Sequence, residues 1–352
     1  MDDADYFDMR NLASPMRPPE FCPVFSCTAP LGKADSQWGE LPYCLVHRIR
    51  IHTASRTFVY YNGPDRDSRR NAALRNVLFQ RNYFKTYVLG NAAKAETHRI
   101  CHETSEDALT WNVFSQLAVR GALPAVMSTL TGCFFDSEPE LYLWGLRIAL
   151  RDSAKPKLFP ALEHARSKFE KEIRNYLTEP DIMLYIPGQV LIVIEAKFTS
   201  GNPVALTTTT RDLDGEKPKS REGILKRYPL PELLSGSLQT PSASVPFYAQ
   251  LYRNLVFAIY MADELRVPWR LVNLVCERCI AERQHEEEFR DPTHFIRGLL
   301  PNNLQGQFAV CSWEQLYNDQ IRTDAGLEDL AIYMYNKSAN GVRALRVSSP
   351  EM

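Results

Sequence analysis

A layered α/β (α+β) core is the fold class this sequence predicts, and three observations carry that prediction. Two apolar β-type runs, "DIMLYI" and "VLIVIE", flank a Pro187-Gly188 turn. Amphipathic helical sequence precedes them from Glu103. A nearly all-apolar helix, "VPFYAQLYRNLVFAIYMAD", follows and leads into the strand-like "WRLVNLV". Helix, paired strands, helix and strand in that order are the components of a sheet with helices packed on it. A chain of 352 residues exceeds one ordinary domain, so the reading divides it into residues 1–60, 61–102, 103–275 and 276–352.

Composition narrows the function classes. With 45% hydrophobic and 24% charged residues, the chain is neither fibrous nor disordered. Its net charge of −1 excludes attraction to nucleic acid through whole-chain positive charge and leaves local basic patches. No apolar run approaches the roughly 18 residues of a membrane helix. The opening "MDDADYFDMRNL" is acidic where a secretion signal is basic and then apolar, so the expectation is a cytoplasmic protein without a membrane partner. In that compartment eight cysteines are expected as buried thiols or metal ligands.

Four of the sulfur and imidazole groups cluster early. Cys22-x4-Cys27 is followed, sixteen residues on, by Cys44-x2-His47, with His52 as a spare ligand. Two close pairs on a short connection suit a tetrahedral zinc ion, each pair forming one knuckle. Reduced thiols in a small core are the alternative. The spacing resembles a zinc ribbon, a module that buries too little to fold without its ion. After the turn signal Asn62-Gly63-Pro64 comes "DRDSRRNAALRNVLFQRNYFKTY", with six basic residues against two acidic ones. Arg69, Arg70 and Arg75 are candidate phosphate contacts; a solvated helix face is the competing reading.

The core begins with "ETSEDALTWNVFSQLAVRG", where Thr104 and Ser105 are N-cap candidates, Thr104-x-x-Asp107 has capping-box spacing, and Leu109, Val113, Phe114 and Leu117 form an apolar face. "PELYLWGLRIALRD" and "PALEHARSKFEKEIRNYL" read as further helix. Residues 198–246 form a polar stretch too long for an idle loop. Cys276-x2-Cys279 reads as structural, with a metal or redox role as the alternative, and Cys101, Cys133 and Cys311 as core. "GQFAVCSWEQLYNDQI" has a strand-then-helix pattern expected to complete the sheet edge or to form a homodimer contact.

The charges at the ends of the two apolar runs carry the chemistry. A three-residue hairpin loop pairs Ile186 with Val190 and so places Asp181 opposite Glu195. Alternation along the strand puts Glu195 and Lys197 on one face and Ala196 on the other. Two carboxylates against apolar strands repel unless a cation joins them, and a hard divalent ion, Mg²⁺ or Mn²⁺, suits oxygen ligands. An acidic-x-Lys triplet is expected by chance roughly 1.4 times in such a composition, so its context decides.

That context, Pro180-Asp181, thirteen residues, then Glu195-Ala196-Lys197, resembles the PD-(D/E)XK nuclease superfamily. The resemblance covers about half the chain. It implies a restriction-endonuclease-like central mixed sheet flanked by helices. It also implies a catalytic set of Glu106, Asp181, Glu195, Lys197 and Gln250, with Mg²⁺ held by Asp181, Glu195, the carbonyl of Ala196 and Glu106. Glu103 and Asp107 compete with Glu106 for its place. On the helix "YAQLYRNLVFA", Gln250, Arg253, Asn254 and Phe257 share a face, and Arg253 is a candidate nucleic-acid contact. The expected activity is Mg²⁺-dependent endonucleolytic cleavage, of DNA more than RNA by the habit of the superfamily, in a defence or restriction context. An inactive binding protein of the same fold and an RNA-cleaving effector are the rivals. Lys197→Ala is expected to abolish cleavage while leaving folding nearly intact.

Overall fold

The computed structural model describes residues 22, 27–28, 44, 46–51, 57–60, 66–89, 100–151, 155–174, 177–205, 215–230, 246–339 and 345–350. His52, the Asn62-Gly63-Pro64 turn, and residues 206–214 and 231–245 of the polar stretch lie outside them. Two compact units divide the chain: Met1–Arg120 with Leu150–Lys155 and Tyr317–Met352, and Gly121–Ala149 with Pro156–Leu316.

In the first unit, strands β1 (Ile49–Ile51) and β2 (Phe58–Tyr60) pair antiparallel. The basic segment forms a helix over Arg66–Arg75, and a second helix runs Glu106–Arg120. Ser105, not Thr104, caps it: the Ser105 hydroxyl accepts from the Ala108 amide at 3.1 Å. Leu109, Val113, Phe114 and Leu117 are all fully buried, as their spacing requires. Asn76 and Asn112 fasten the unit through buried amide bonds, Asn112 to the Asn76 carbonyl and to the Leu78 amide.

A buried charge pair crosses this unit. Glu103 accepts from the Phe58 amide at 2.9 Å, and the Lys337 ammonium donates to the Glu103 carbonyl. Burial pushes Lys337 down to about 8 from an ordinary 10.5, against the opposing pull of Glu103, and burial raises Glu103. Between those two values for Lys337 the unfolded chain holds a proton that the folded chain has released, so this group makes stability rise with pH there. The slope is at most about 1.4 kcal/mol per pH unit. Denaturation midpoints of wild type and Lys337→Met between about pH 8 and pH 9 test this: the variant's curve is expected to lack that rise, and parallel curves refute it.

The second unit is a mixed six-stranded sheet of order β4-β3-β5-β6-β7-β8. Its strands are β3 (Glu140–Leu143), β4 (Leu146–Arg147), β5 (Ile182–Ile186), β6 (Val190–Ala196), β7 (Trp269–Val275) and β8 (Phe308–Ser312). The first three pairings are antiparallel, and β6/β7 and β7/β8 are parallel. The helix Ala249–Leu265 crosses between the parallel β6 and β7, as a parallel pair demands. Together with the helix Pro160–Phe169 it buries Met183, Leu191, Val193 and Leu271 on one face. The helix Leu123–Thr131 lies against β7 and β8. The segment after Cys279 therefore supplies the sheet edge, β8, and Trp313–Gln320 continues it as helix.

One expectation is corrected. "PELYLWGLRIALRD" is not helix but the hairpin β3–β4. Trp144 and Gly145 form its two-residue turn, both with positive φ (53° and 82°), which is the geometry of a primed hairpin turn. A Cβ on Gly145 would stand 2.6 Å from Leu162, so the close approach of the packed helix also selects glycine. The polar stretch after Phe198 contains an ordered helix, Arg221–Arg227, capped by Ser220 on the Gly223 amide.

Candidate functional site

The site in the second unit stands on the hairpin β5–β6. Pro187-Gly188-Gln189 closes it, with Gly188 at φ 72° and the Gln189 amide on the Ile186 carbonyl. Ile186 pairs with Val190 and Ile182 with Ile194, the register the loop length predicts. One step further, an Asp181 carboxylate oxygen accepts from the Ala196 amide at 2.9 Å. Asp181 thus meets the end of β6, where Glu195, Ala196 and Lys197 follow one another.

Glu195 is fully buried and Lys197 is 6% exposed. Their side chains share a face and form an ion pair. The second Glu195 oxygen accepts from the Asn254 amide at 2.6 Å. Main-chain bonds hold Lys197 as well: its amide donates to Leu274 on β7, and its carbonyl accepts from the Trp313 indole at 3.1 Å. The helix Ala249–Leu265 thus delivers Asn254 to Glu195, while Gln250 lies half-buried in its first turn. Arg253 is half-buried beside them. Burial lowers its pKa, and Tyr228, Glu170 and Glu195 act to raise it. Glu106 opens the Glu106–Arg120 helix of the first unit.

A buried carboxylate positions the approach to Asp181. Glu170 accepts from the Thr178 amide at 2.7 Å, from the Thr178 hydroxyl and from the Tyr228 hydroxyl at 2.7 Å. Arg166 clamps the Thr178 carbonyl from the other side with two bonds of 3.0 and 2.8 Å. Thr178 lies three residues before Asp181, whose own carbonyl accepts from the Trp144 amide. Glu170→Ala strands three buried donors and is expected to cost about 3 kcal/mol in denaturant unfolding. A midpoint within experimental error of wild type would remove Glu170 from this role.

In the first unit, Cys22, Cys27, Cys44 and His47 come together, their ligand atoms all within 4.8 Å of one another. Three of the separations are 3.4 Å (Cys22 to His47), 3.7 Å (Cys44 to His47) and 4.0 Å (Cys27 to Cys44). A tetrahedral zinc ion with ordinary bond lengths spaces its ligands by about 3.5 to 3.8 Å. The cluster could therefore hold such an ion. Burial and the nearby Arg75 charge lower the His47 pKa, which favours the neutral ligand form. The Arg75 guanidinium donates to the His47 and Arg48 carbonyls and lies over the Tyr60 ring at 4.7 Å, so it braces the knuckle. Arg69 and Arg70 are half-buried on the same helix.

Cys276 caps the short helix Glu277–Arg283, accepting from the Cys279 amide, and its thiol points to Glu314. A hydrogen bond from Cys276 lowers the Cys279 pKa. Cys101 and Cys311 are buried and Cys133 is half-buried. Among the described residues no helix is long and apolar enough to cross a membrane.

Two amides beside Glu195 escaped sequence reasoning: Asn254, which bonds it, and Asn273, its partner in the β6/β7 register. Asn254 was visible only as a neighbour of Gln250 on its helix face. Asn273 had one signal, a lone amide inside the apolar "WRLVNLV". Comparisons with protein-family models, with curated proteins and with solved structures find no match for this chain.

Proposed function

We propose that this protein is a Mg²⁺-dependent phosphodiesterase of the PD-(D/E)XK type, an endonuclease whose second unit carries a restriction-endonuclease-like core. One observation carries the reading. Asp181 on the Ala196 amide brings that acid to the strand end where Glu195 and Lys197 share a buried face. The alternation of β6 then leaves Ala196 on the opposite face.

The donor set fits a hard divalent cation: Asp181, Glu195 and the Ala196 carbonyl offer oxygen alone. When bound, the ion would polarise a phosphate and lower the pKa of a water. Lys197 pairs with Glu195 and orients it in the resting site. With substrate present it would turn to the phosphate, orient the attacking water and stabilise charge developing on the phosphoryl oxygens. Asn254 keeps Glu195 in place through the second oxygen. Gln250 remains a proposed member of the set, and Arg253, Arg69, Arg70 and Arg75 proposed contacts to the nucleic acid. DNA is the favoured substrate.

The alternative is a binding protein of the same fold, favoured by the engagement of both Glu195 oxygens, one by Lys197 and the other by Asn254. The test is incubation with supercoiled plasmid, linear duplex, single-stranded DNA and RNA, with Mg²⁺, Mn²⁺ or EDTA. Cutting that needs a divalent ion supports the nuclease and names its substrate. Intact substrates under every condition favour the binding protein, and RNA fragments beside intact DNA favour an RNA-cleaving effector.

A further inference from the structure

Asn273 presents a buried polar group without an evident use. It is fully buried in the centre of β7, and neither its amide nitrogen nor its carbonyl oxygen finds a hydrogen-bond partner among the described residues. An unpaired buried amide costs about 1 to 3 kcal/mol, so its retention calls for a second state in which it is paired. Its register identifies the partner. Asn273 lies directly opposite Glu195 in the parallel β6/β7 pair, and paired residues of neighbouring strands project to the same face about 4.8 Å apart. Asn254 approaches Glu195 from the helix, and Asn273 flanks it from the sheet.

We propose that Asn273 is a positioning residue that receives Glu195 when Lys197 leaves it. The inference rests on the nuclease reading, in which Lys197 must turn from Glu195 to the phosphate. That turn takes the ammonium from a carboxylate with no exposed surface, and a second amide donor beside Asn254 and the ion would limit the loss. The Asn273 amide nitrogen donating to the vacated Glu195 oxygen replaces one donor by another. No bond to carbon, phosphorus or sulfur is made or broken, and the amide returns to its resting place when Lys197 does.

The test is a double-mutant cycle in chemical denaturation, with wild type, Asn273→Leu, Lys197→Ala and the double variant. Removing an unpaired amide from wild type is expected to leave the midpoint unchanged or higher. In the Lys197→Ala background, where Asn273 has taken over Glu195, the same change is expected to lower the midpoint. Equal shifts in the two backgrounds overturn the proposal. Asn273→Ala repeats the cycle where leucine disturbs packing, and the difference between backgrounds is again decisive. On the substrate found to be cut, Asn273→Leu is expected to lower kcat about tenfold with KM nearly unchanged. An unchanged kcat also overturns the proposal. If wild type cuts nothing, the nuclease reading fails on its own account while the stability cycle still decides the handover.

Discussion

Lys197→Met is expected to destabilise the second unit by about 3 kcal/mol and to leave no divalent-dependent cleavage. The sequence alone suggested a variant that folds almost as well as wild type. The structure changes that expectation, because Glu195 has no exposed surface and Lys197 almost none. Removing the ammonium leaves a carboxylate held by Asn254 and shielded from water, and an uncompensated buried charge is among the costliest single changes. The loss is put at the low end of the usual range because two amides flank Glu195. Pairing the change with Glu195→Gln removes both charges, so the double variant is expected to regain much of the stability and none of the activity. Urea unfolding of the four proteins, with cleavage on the best substrate, checks both halves. A double variant no more stable than Lys197→Met would show that the ion pair is not what Lys197 supports. Cleavage by Lys197→Met would remove its catalytic assignment.

Cys44→Ser is expected to eliminate metal binding by the first unit and to unravel the segment around the cluster. Cys22 and Cys44 have no exposed surface, and Cys44 also anchors the turn: its amide donates to Ile49 and its carbonyl accepts from Arg48. Binding energies of structural zinc sites are on the order of 10 kcal/mol, so losing a ligand withdraws a large stabilising contribution from the segment around the cluster. Wild type is expected to carry one zinc per chain by elemental analysis. Chelation is expected to render Cys22, Cys27 and Cys44 reactive toward a thiol reagent within the assay. Thiols equally inert with and without chelator, in protein that carries no metal, would assign the four residues to an ordinary small core. His47→Ala, losing one of four ligands and none of the thiols, is expected to weaken the metal without abolishing it.

What the sequence determined by itself is the local and periodic part of the molecule. A three-residue loop and strict alternation set the β5–β6 register, so the meeting of Asp181 with the end of β6 follows from adjacent residues alone. The apolar runs of β7 and of the helix Ala249–Leu265 were long enough to read without context, and the cysteine and histidine spacing announced the cluster. Tertiary structure decided what depends on distant partners. Leu141 and Leu143 are in a strand because β5 pairs with them and Trp144-Gly145 turns back under Leu162; their helical propensity had no packed face to serve. Lys337 meets Glu103 across 234 positions, and Glu170 steadies Thr178 with Tyr228 from 58 positions away. Most decisive is the choice among amides: Gln250, Asn254 and Asn273 are alike as residue types. The crossing of one helix over the sheet gives Glu195 to Asn254, and the pairing of two strands sets Asn273 beside it. No local pattern encodes such choices, because the free energy of a buried polar group depends on which partners the fold brings within hydrogen-bonding reach.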